Sequence, residues 1–382
     1  MAAAFSSVDY GAFKRARRFP ALDGLRAIAV MLVMSLHSGA HGDFPLWRLV
    51  DGGKGVPIFF VLSGFLITTL LLREEESRGR VSLKAFYVRR FMRLTPLYYL
   101  VIATYLVLIF GSHSPEALAR RQELMSRLPF LVSYMSEYAP FHPAIPVFGQ
   151  AWSLGIEEKF YLAWPTLGFV LLARFRARIG TAISLAVVLA TFAAMGVANS
   201  LLFGESYSAL FVGCALALVL NDRRGFQRLR FLGARPVQMI IFALAIVFQL
   251  LPLFKPVRET ALYALAAAIV IGSAAIGERS LCQRVLGSRV MMHIGQRSYA
   301  IYLIHVLATH VVDKTNVFPA HSTAGALGAF GATLALSLAA AEVLYRLIEG
   351  PCIRLGHEWS AAIQGAVPVP AQPTPSEIGS PT

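Results

Sequence analysis

Ten apolar runs, several of them short or carrying a charge, dominate this sequence of 382 residues. A membrane-spanning helix needs about 20 mostly apolar residues. In lipid the backbone must satisfy its own hydrogen bonds, so such runs fold as helices. The sequence therefore predicts an all-α polytopic membrane protein with about ten transmembrane helices. The predicted spans are residues 22–40, 55–72, 94–110, 152–173, 179–198, 206–220, 237–254, 260–276, 298–313 and 324–347.

The composition argues against several other classes of protein. Hydrophobic residues make up 56% of the chain and charged residues only 15%, whereas soluble domains carry about 25% charged residues. This balance argues against a soluble enzyme, a disordered protein and a coiled coil. The three cysteines, Cys214, Cys282 and Cys352, are too few for a disulfide framework.

The positive charge of the chain follows the predicted loops. Lysine and arginine outnumber acidic residues by 35 to 21, which gives a net charge of +14. If the N-terminus is cytoplasmic, 25 basic residues lie in loops on that side and eight on the other. Cytoplasmic loops are enriched in Lys and Arg, so both termini are predicted to be cytoplasmic. Basic residues that flank apolar spans also argue against a nucleic-acid partner.

Three regions are predicted along the chain. Residues 1–18 form a cytoplasmic N-terminal segment, and residues 19–355 form the transmembrane domain. Residues 356–382 form a cytoplasmic tail that is largely disordered, because the stretch from Ala366 onward is rich in Pro, Ser and Thr. The long loop 111–151 is expected on the side away from the cytoplasm.

The first predicted helix carries ionisable residues on one face. Arg26 and His37 are eleven residues apart, which at 100° per residue is about 20° more than three turns. They are separated by about 16 Å along the helix axis, and Asp23 lies on nearly the same face. Ionisable residues inside a membrane are costly and usually functional. The alternative is that Asp23 and Arg26 are end charges that reach the interface, while His37 packs in the bundle.

Two further segments carry features of a binding site. Ser63-Gly64, in the middle of the second span, would let a ligand approach closely, and small residues equally favour helix packing. Arg90 and Arg93, just before the third span, lie one turn apart and would face the same way in a helix. Arginine suits phosphate groups. The alternative is that both arginines anchor a cytoplasmic loop.

Glutamates and a histidine occur at membrane depth in two other spans. Glu157 and Glu158 enter the bilayer from the far side, at about the depth of His37, where a carboxylate can orient a histidine. The alternative is that they pair with Lys159 at the interface. His305 lies near the middle of the ninth span, and a hydrogen-bonded structural role is favoured there. No cluster of residues in the sequence has the spacing of metal ligands.

Motifs in six parts of the chain occur in a characteristic order. They are Leu22-Asp23-Gly24-Leu25-Arg26-Ala27-Ile28-Ala29-Val30 with His37; Phe59-Phe60-Val61-Leu62-Ser63-Gly64-Phe65-Leu66-Ile67; Arg90 and Arg93 with Pro96 and Tyr98; Trp152-Ser153-Leu154 with Glu157, Phe160 and Tyr161; Gly295, Ser298, Tyr299, Tyr302 and His305; and Glu349 with Pro351. In this order they resemble the bacterial membrane acyltransferase-3 family over about residues 18–355. Two features depart from the family pattern. Pro57 stands where a polar or acidic residue is common, and Gly155-Ile156 with Lys159 varies the tryptophan–glutamate segment.

The resemblance implies a ten-helix enzyme of the bacterial inner membrane, in its standalone form. It would move an acyl group, acetyl by default, from cytoplasmic acyl-CoA to a hydroxyl of an exported polysaccharide, lipopolysaccharide or lipid-linked sugar. His37 would act as general base or carry the acyl group as an intermediate, and Glu157 would orient it. No tightly bound cofactor and no metal are expected.

The arginines would bind the phosphates of acyl-CoA, and its pantetheine arm would lie beside the second span. The residues expected to bind acyl-CoA are Arg26, Arg90, Arg93, Ser63, Gly64 and Phe65. Those expected to support the site are Asp23, Trp152, Glu158, Tyr299, Tyr302 and His305. The alternatives are a polytopic secondary transporter or a non-catalytic component of a polysaccharide assembly complex. Transporters often contain two repeated halves, and the sequence shows no internal repeat.

Overall fold

The computed structural model of the chain describes residues 9–16, 18–37, 52–140, 146–171, 180, 184, 202–250, 256–278, 280–319 and 322–365. Within these ranges the regular secondary structure is helical and contains no strand. The predicted all-α class is therefore confirmed. The predicted span 179–198 lies almost entirely outside the described residues.

We number the helices of the described ranges α1 to α15 in chain order. They are α1 Tyr10–Arg15, α2 Pro20–His37, α3 Gly55–Arg78, α4 Leu83–Phe110, α5 Ala117–Val132, α6 Ala151–Thr166, α7 Leu202–Asn221, α8 Arg223–Leu229, α9 Arg235–Leu250, α10 Pro256–Ile276, α11 Leu281–Leu286, α12 Arg289–Gln296, α13 Ser298–Lys314, α14 Thr323–Leu344 and α15 Gly350–Ile363. A π-helical turn, Tyr345–Glu349, joins α14 to α15.

Four helical segments within the described residues are long and apolar enough to cross a membrane, judged by length and composition. They are Pro20–His37, Gly52–Arg78, Leu83–Phe110 and Thr323–Ile363. Helices α8 and α9 form a pair bent by 75° that would count as a fifth span. Helices α7 and α10 contain shorter apolar stretches. The polytopic character is therefore supported, whereas the count of ten and the orientation of the termini stay predictions.

Helix α2 lies at the centre of the packing, in contact with α3, α11, α12 and α13. Its first turn contains Pro20, whose fixed φ suits a helix start. Gly24 and Gly295 permit the close contacts. A Cβ atom at Gly24 would lie 2.2 Å from the backbone oxygen of Leu286, and one at Gly295 would lie 1.8 Å from the backbone oxygen of Asp23. At both positions a larger residue would overlap the backbone of the neighbouring helix, so the packing requires glycine.

The apolar core consists of two clusters of buried side chains. One packs α3, α6, α7 and α10 around Phe60 and Phe65. The other packs α2, α4 and α13 around Met34 and Tyr98. Helices α2 and α6 contribute to both clusters. These two helices consequently pack against both clusters of the core.

Helices α3 and α7 pack with their backbones in contact. A Cβ atom at Gly64 would lie 1.9 Å from the backbone oxygen of Leu210, and one at Gly213 would lie 2.1 Å from a backbone oxygen of α3. Of the two alternatives for Gly64, helix packing is the one that the structure supports. Phe65 is fully buried in the core. Both residues therefore have a packing role, and their expected contact with acyl-CoA stays a prediction.

Helix α15 packs along α4 and extends to Ile363, so the first residues of the predicted tail are helical. Arg89 joins three helices, because it donates to Ser360 of α15 and, at 3.0 Å, to Glu74 of α3. The rest of the predicted tail, from residue 366 onward, lies outside the described residues.

We expect Gly64→Ala to destabilise the protein, because the added methyl group would overlap the Leu210 carbonyl and push α3 away from α7. Overpacking costs about 1–3 kcal/mol, and thermal unfolding in detergent should show a lower Tm. Gly331→Ala is the matched control, since Gly331 lies in α14 with no atom within 4 Å of its Cβ position. Alanine there should be neutral or stabilising. Equal Tm values for the two variants would contradict the close contact.

Candidate active site

Two histidine rings meet where α2 faces α13. His37 is the last described residue of α2, and His305 is fully buried in the middle of α13. The Nε2 atom of His305 lies 3.4 Å from Nδ1 of His37, and the ring centroids are 5.0 Å apart in an edge-to-face arrangement. The sequence favoured a structural role for His305 and also named it among the supporting residues of the site. The structure brings it next to the residue expected to be the general base.

The other half of α2 contributes to a cluster of arginines. Arg26 lies 3.6 Å from Asp23 Oδ1. The guanidinium carbon of Arg90 lies 5.3 Å from the ring centroid of Tyr161. Arg26, Arg90 and Arg93 are close enough to act on one another electrostatically. We call these three residues the arginine cluster; such a concentration of guanidinium groups suits a ligand with several phosphates.

A chain of hydrogen bonds links α3 to α6 beside the arginine cluster. The Tyr161 hydroxyl donates to Ser63 Oγ at 3.1 Å, and Ser63 Oγ donates to Glu157 Oε1 at 2.6 Å. The charges of Arg26 and Arg90 act on Glu157. We call Tyr161, Ser63 and Glu157 the polar chain. Ser63, unlike the neighbouring glycine, is therefore part of the site.

The expected contact between Glu157 and His37 needs correction. Glu157 is bonded to Ser63 and lies on the side of the arginine cluster. In the described part of the chain, the ring next to His37 belongs to His305. Depth in the membrane predicted that Glu157 and His37 lie at one level, but it did not fix the direction in which either side chain points. Glu157 is a member of the polar chain rather than the direct partner of the histidine.

Buried polar contacts tie α6 to α13. The Tyr302 hydroxyl lies 2.7 Å from Ser153 Oγ and donates to the backbone oxygen of Gln150 at 3.1 Å. The Gln150 side chain donates to the backbone oxygen of Leu303 at 3.1 Å. These bonds hold the helix of the polar chain against the helix of His305. The sequence interpretation named Tyr302 but missed Gln150, whose only signal was a polar residue just before the tryptophan motif.

The other expected supporting residues surround these groups. Trp152 packs edge-on against Phe60, with ring centroids 6.2 Å apart, and fixes the start of α6 on α3. Tyr299 donates to the backbone oxygen of Leu94 at 2.7 Å, which joins α13 to α4. Glu158 lies where the charge of Arg90 acts on it. These residues position helices around the arginine cluster.

Glu349 is a buried carboxylate near the same cluster. It is 1% exposed, and neither of its carboxylate oxygens has a hydrogen-bond partner among the described residues. Arg93, Arg297 and Arg26 are close enough to act on it electrostatically. The sequence named Glu349 only as part of the family pattern. In the structure its carboxyl group lies within electrostatic reach of the arginine cluster.

Comparison with known proteins identifies the family of the chain. The sequence profile of the acyltransferase-3 family, described as an acyltransferase domain, matches residues 19–342. The chain belongs to this family. The resemblance inferred from the ordered motifs is thereby confirmed. No solved structure gives a significant match.

Proteins similar to the chain include two bacterial O-acetyltransferases. The chain is 30% identical over 371 residues to the peptidoglycan O-acetyltransferase OatA of Listeria monocytogenes, a match that covers 88% of this chain and 56% of that protein. It is 30% identical over 367 residues to the O-acetyltransferase OatA of Staphylococcus aureus, covering 89% and 58% respectively. The chain thus spans a little over half the length of these relatives.

The departures from the acyltransferase-3 pattern in α6 have one structural explanation. Lys159 Nζ lies 2.5 Å from Glu137 Oε1 and donates to the backbone oxygen of Tyr134 at 2.7 Å. A Cβ atom at Gly155 would lie 2.5 Å from Glu137 Oε2 and 2.6 Å from the Tyr134 oxygen. Glycine therefore leaves the space that the glutamate occupies. Lys159 forms its ion pair with Glu137, in the segment before α6, rather than with the glutamates beside it.

We expect Lys159→Met to destabilise the protein, because it leaves the fully buried carboxylate of Glu137 without its ion-pair partner. Removing one partner of a buried pair costs about 3–5 kcal/mol, which thermal unfolding in detergent would detect. The double variant Lys159→Met/Glu137→Gln should recover much of the lost stability, because it leaves no charge buried. A double variant no more stable than Lys159→Met would show that the unpaired carboxylate is not the cause.

Proposed function

We propose that the protein is a membrane-bound acyltransferase that moves an acyl group, acetyl by default, from cytoplasmic acyl-CoA to a hydroxyl of an exported glycan. The observation that carries the proposal is that α2 contributes to both halves of the site. Arg26 belongs to the arginine cluster, and His37 lies about 16 Å farther along the same helix. Membership in the acyltransferase-3 family supports this class of reaction.

The arginine cluster supports acyl-CoA as the donor. CoA carries several phosphate groups at one end and a thiol at the end of a long pantetheine arm. Guanidinium groups bind phosphate oxygens in bidentate fashion, and Arg26, Arg90 and Arg93 present three of them together. With its phosphates on this cluster, the donor would extend its arm past the polar chain and bring its thioester to His37.

The relatives support a glycan as the acceptor. The Listeria relative is named as a peptidoglycan O-acetyltransferase, and the Staphylococcus relative as an O-acetyltransferase. For this chain we propose the hydroxyl of a cell-envelope glycan: peptidoglycan, an exported polysaccharide, lipopolysaccharide or a lipid-linked sugar precursor. All of these acceptors present sugar hydroxyl groups, which need a general base to become effective nucleophiles.

In the proposed reaction His37 is that base. The acceptor oxygen attacks the carbonyl carbon of the thioester while His37 takes the hydroxyl proton. The carbon–sulfur bond then breaks, the acyl group remains on the acceptor oxygen, and the CoA thiolate takes the proton from His37 as it leaves. Glu157 holds Ser63 and offsets the charge of the arginines, which keeps the polar chain ordered beside the donor.

We expect His37→Ala to lower acyl transfer by a factor of about 10²–10⁴, the usual contribution of a general base. The measurement is transfer of radiolabelled acetyl groups from acetyl-CoA to envelope glycans, in membranes that contain equal amounts of inserted protein. His310→Ala is the matched control, because His310 lies on α13 but is exposed. Wild-type transfer by His37→Ala would refute the assignment of the base.

We further propose that ten helices cross the bacterial inner membrane, with both termini in the cytoplasm. The distribution of 25 basic residues against eight supports this orientation, and four or five of the spans are supported by described helices. In this arrangement the arginine cluster lies on the cytoplasmic side, where acyl-CoA is made. His37 lies toward the opposite side, where exported glycans are assembled.

Acetyl-CoA should stabilise the purified protein against heat, and Arg90→Gln and Arg93→Gln should each remove much of this effect. A ligand at 100 times its Kd adds about 2.7 kcal/mol, and loss of a hydrogen bond to a charged group costs about 1.5–3 kcal/mol. Each variant should therefore weaken binding about 10- to 100-fold. Arg120→Gln is the control, because Arg120 lies on α5, is exposed and is paired with Glu116, the residue before that helix. Undiminished stabilisation of both cluster variants would argue against the donor site.

Membrane vesicles of defined orientation test on which side of the membrane the donor site and the two termini lie. Acetyl-CoA should support transfer in inverted vesicles but not in right-side-out vesicles. Protease should remove tags at both termini from inverted vesicles only. Cleavage of either tag in right-side-out vesicles would contradict the proposed orientation of that terminus.

A further inference from the structure

The contacts of His305 determine which of its ring nitrogens carries the hydrogen. Nδ1 lies 2.7 Å from the carbonyl oxygen of Tyr302, which only accepts hydrogen bonds. Nδ1 must therefore be protonated, because two lone pairs at this distance would repel each other. In the neutral ring Nε2 is then the unprotonated nitrogen, and it acts as an acceptor.

The same argument fixes the tautomer of His37. Its Nδ1 lies 3.1 Å from the carbonyl oxygen of Val33 and 3.4 Å from Nε2 of His305. Both neighbours are acceptors, so Nδ1 of His37 carries the hydrogen and shares it between them. In the neutral ring the unprotonated nitrogen is consequently Nε2, at the far side of the imidazole from His305. A general base acts only through an unprotonated nitrogen.

We propose that His305 is a positioning residue that, together with the Val33 carbonyl, holds His37 in the tautomer whose basic nitrogen is Nε2. The inference rests on the proposed role of His37 as base and specifies how that base is prepared. When Nε2 of His37 takes the proton of the acceptor hydroxyl, the ring becomes an imidazolium with hydrogen on both nitrogens. His305 Nε2 continues to accept the hydrogen bond from Nδ1. The proton on Nε2 of His37 then passes to the departing thiolate, and His305 keeps its own hydrogen throughout.

The surroundings of His305 suit a fixed orientation. The side chain is completely buried, and its ring packs against Tyr302 with centroids 5.7 Å apart. Tyr302 is held by its hydroxyl contact with Ser153 of α6. Thr309 donates to the backbone oxygen of His305 at 3.0 Å. The acceptor nitrogen that faces His37 is thus oriented by the same contacts that join α6 to α13.

Two substitutions of His305 distinguish its role as a hydrogen-bond acceptor for His37 from its role in filling space in the helix packing. His305→Leu removes the acceptor, whereas His305→Gln keeps a side-chain oxygen near the place of Nε2. We expect His305→Leu to lower kcat more than tenfold, since only the Val33 carbonyl then holds the hydrogen on Nδ1 of His37 and a base in the wrong tautomer is inactive, with the KM for acetyl-CoA unchanged. His305→Gln should stay within about tenfold of the wild type. His310→Leu is the matched control, because His310 bonds to the Val306 oxygen at 2.7 Å on the same helix but is exposed.

Nitrogen NMR of the full-length protein labelled with ¹⁵N-histidine reads the tautomer directly. The His37 signals, identified by their loss in His37→Ala, should report hydrogen on Nδ1 in the wild type and a mixture of tautomers in His305→Leu. An unchanged His37 tautomer in His305→Leu would overturn the proposal. So would a His305→Gln variant as inactive as His305→Leu. Failure of the proposed function is distinguishable, because His37→Ala would then retain transfer.

Discussion

A polar side chain within a bilayer must find its partners inside the protein, because lipid offers none. The candidate site follows this constraint. Glu157 of α6 is bonded by Ser63 of α3, and Arg90 of α4 lies over the ring of Tyr161 of α6. Lys159 of α6 finds its ion-pair partner in the segment that precedes the helix. Each partner comes from a different part of the chain, so the helices must be packed in register before any of these groups is satisfied.

That register depends on glycines at which backbones touch. In lipid, helix association relies on close packing more than on the hydrophobic effect, and small residues permit it. Gly24 and Gly295 bring α2 against α11 and α12, and Gly64 brings α3 against α7. Both helices carry residues of the candidate site next to these contacts: Arg26 is close to Gly24 on α2, and Ser63 adjoins Gly64 on α3. A shift of α2 along its neighbours would move Arg26 and His37 together, since one rigid helix carries both.

Relations along one helix could be predicted from the sequence, whereas relations between helices could not. The spacing of Arg26 and His37 predicts a shared face, because it depends only on helix geometry. Glu157 was assigned to His37 from depth alone, and depth leaves open which way a side chain points around the bundle. The pairing of His37 with His305 could not be found by spacing, because 268 residues separate them and only the packing of α13 on α2 brings them together.

The same distinction applies to Lys159, whose nearest charges in sequence are the glutamates beside it. Its partner is Glu137, which lies 22 residues earlier in the chain and fits beside α6 because Gly155 leaves space for its carboxylate. Spacing along the sequence does not indicate this pair. The packing of the predicted spans on one another is a further relation that spacing could not supply. Apolar length predicted spans at 206–220 and 260–276, but only the structure shows that α7 and α10, which contain these segments, both pack against α3.

Because α2 carries both Arg26 and His37, helix geometry fixes their separation at about 16 Å. A donor held by its phosphates on the arginine cluster must then span this distance to present a thioester to His37. Small acyl phosphates are too short to do so, whereas the pantetheine arm of CoA is long and flexible. Under the proposed function, the length of α2 between the two residues therefore favours a donor with a long arm as well as several negative charges. Under the proposed function, this gives the protein a way to recognise acyl-CoA without contacting the acyl group itself.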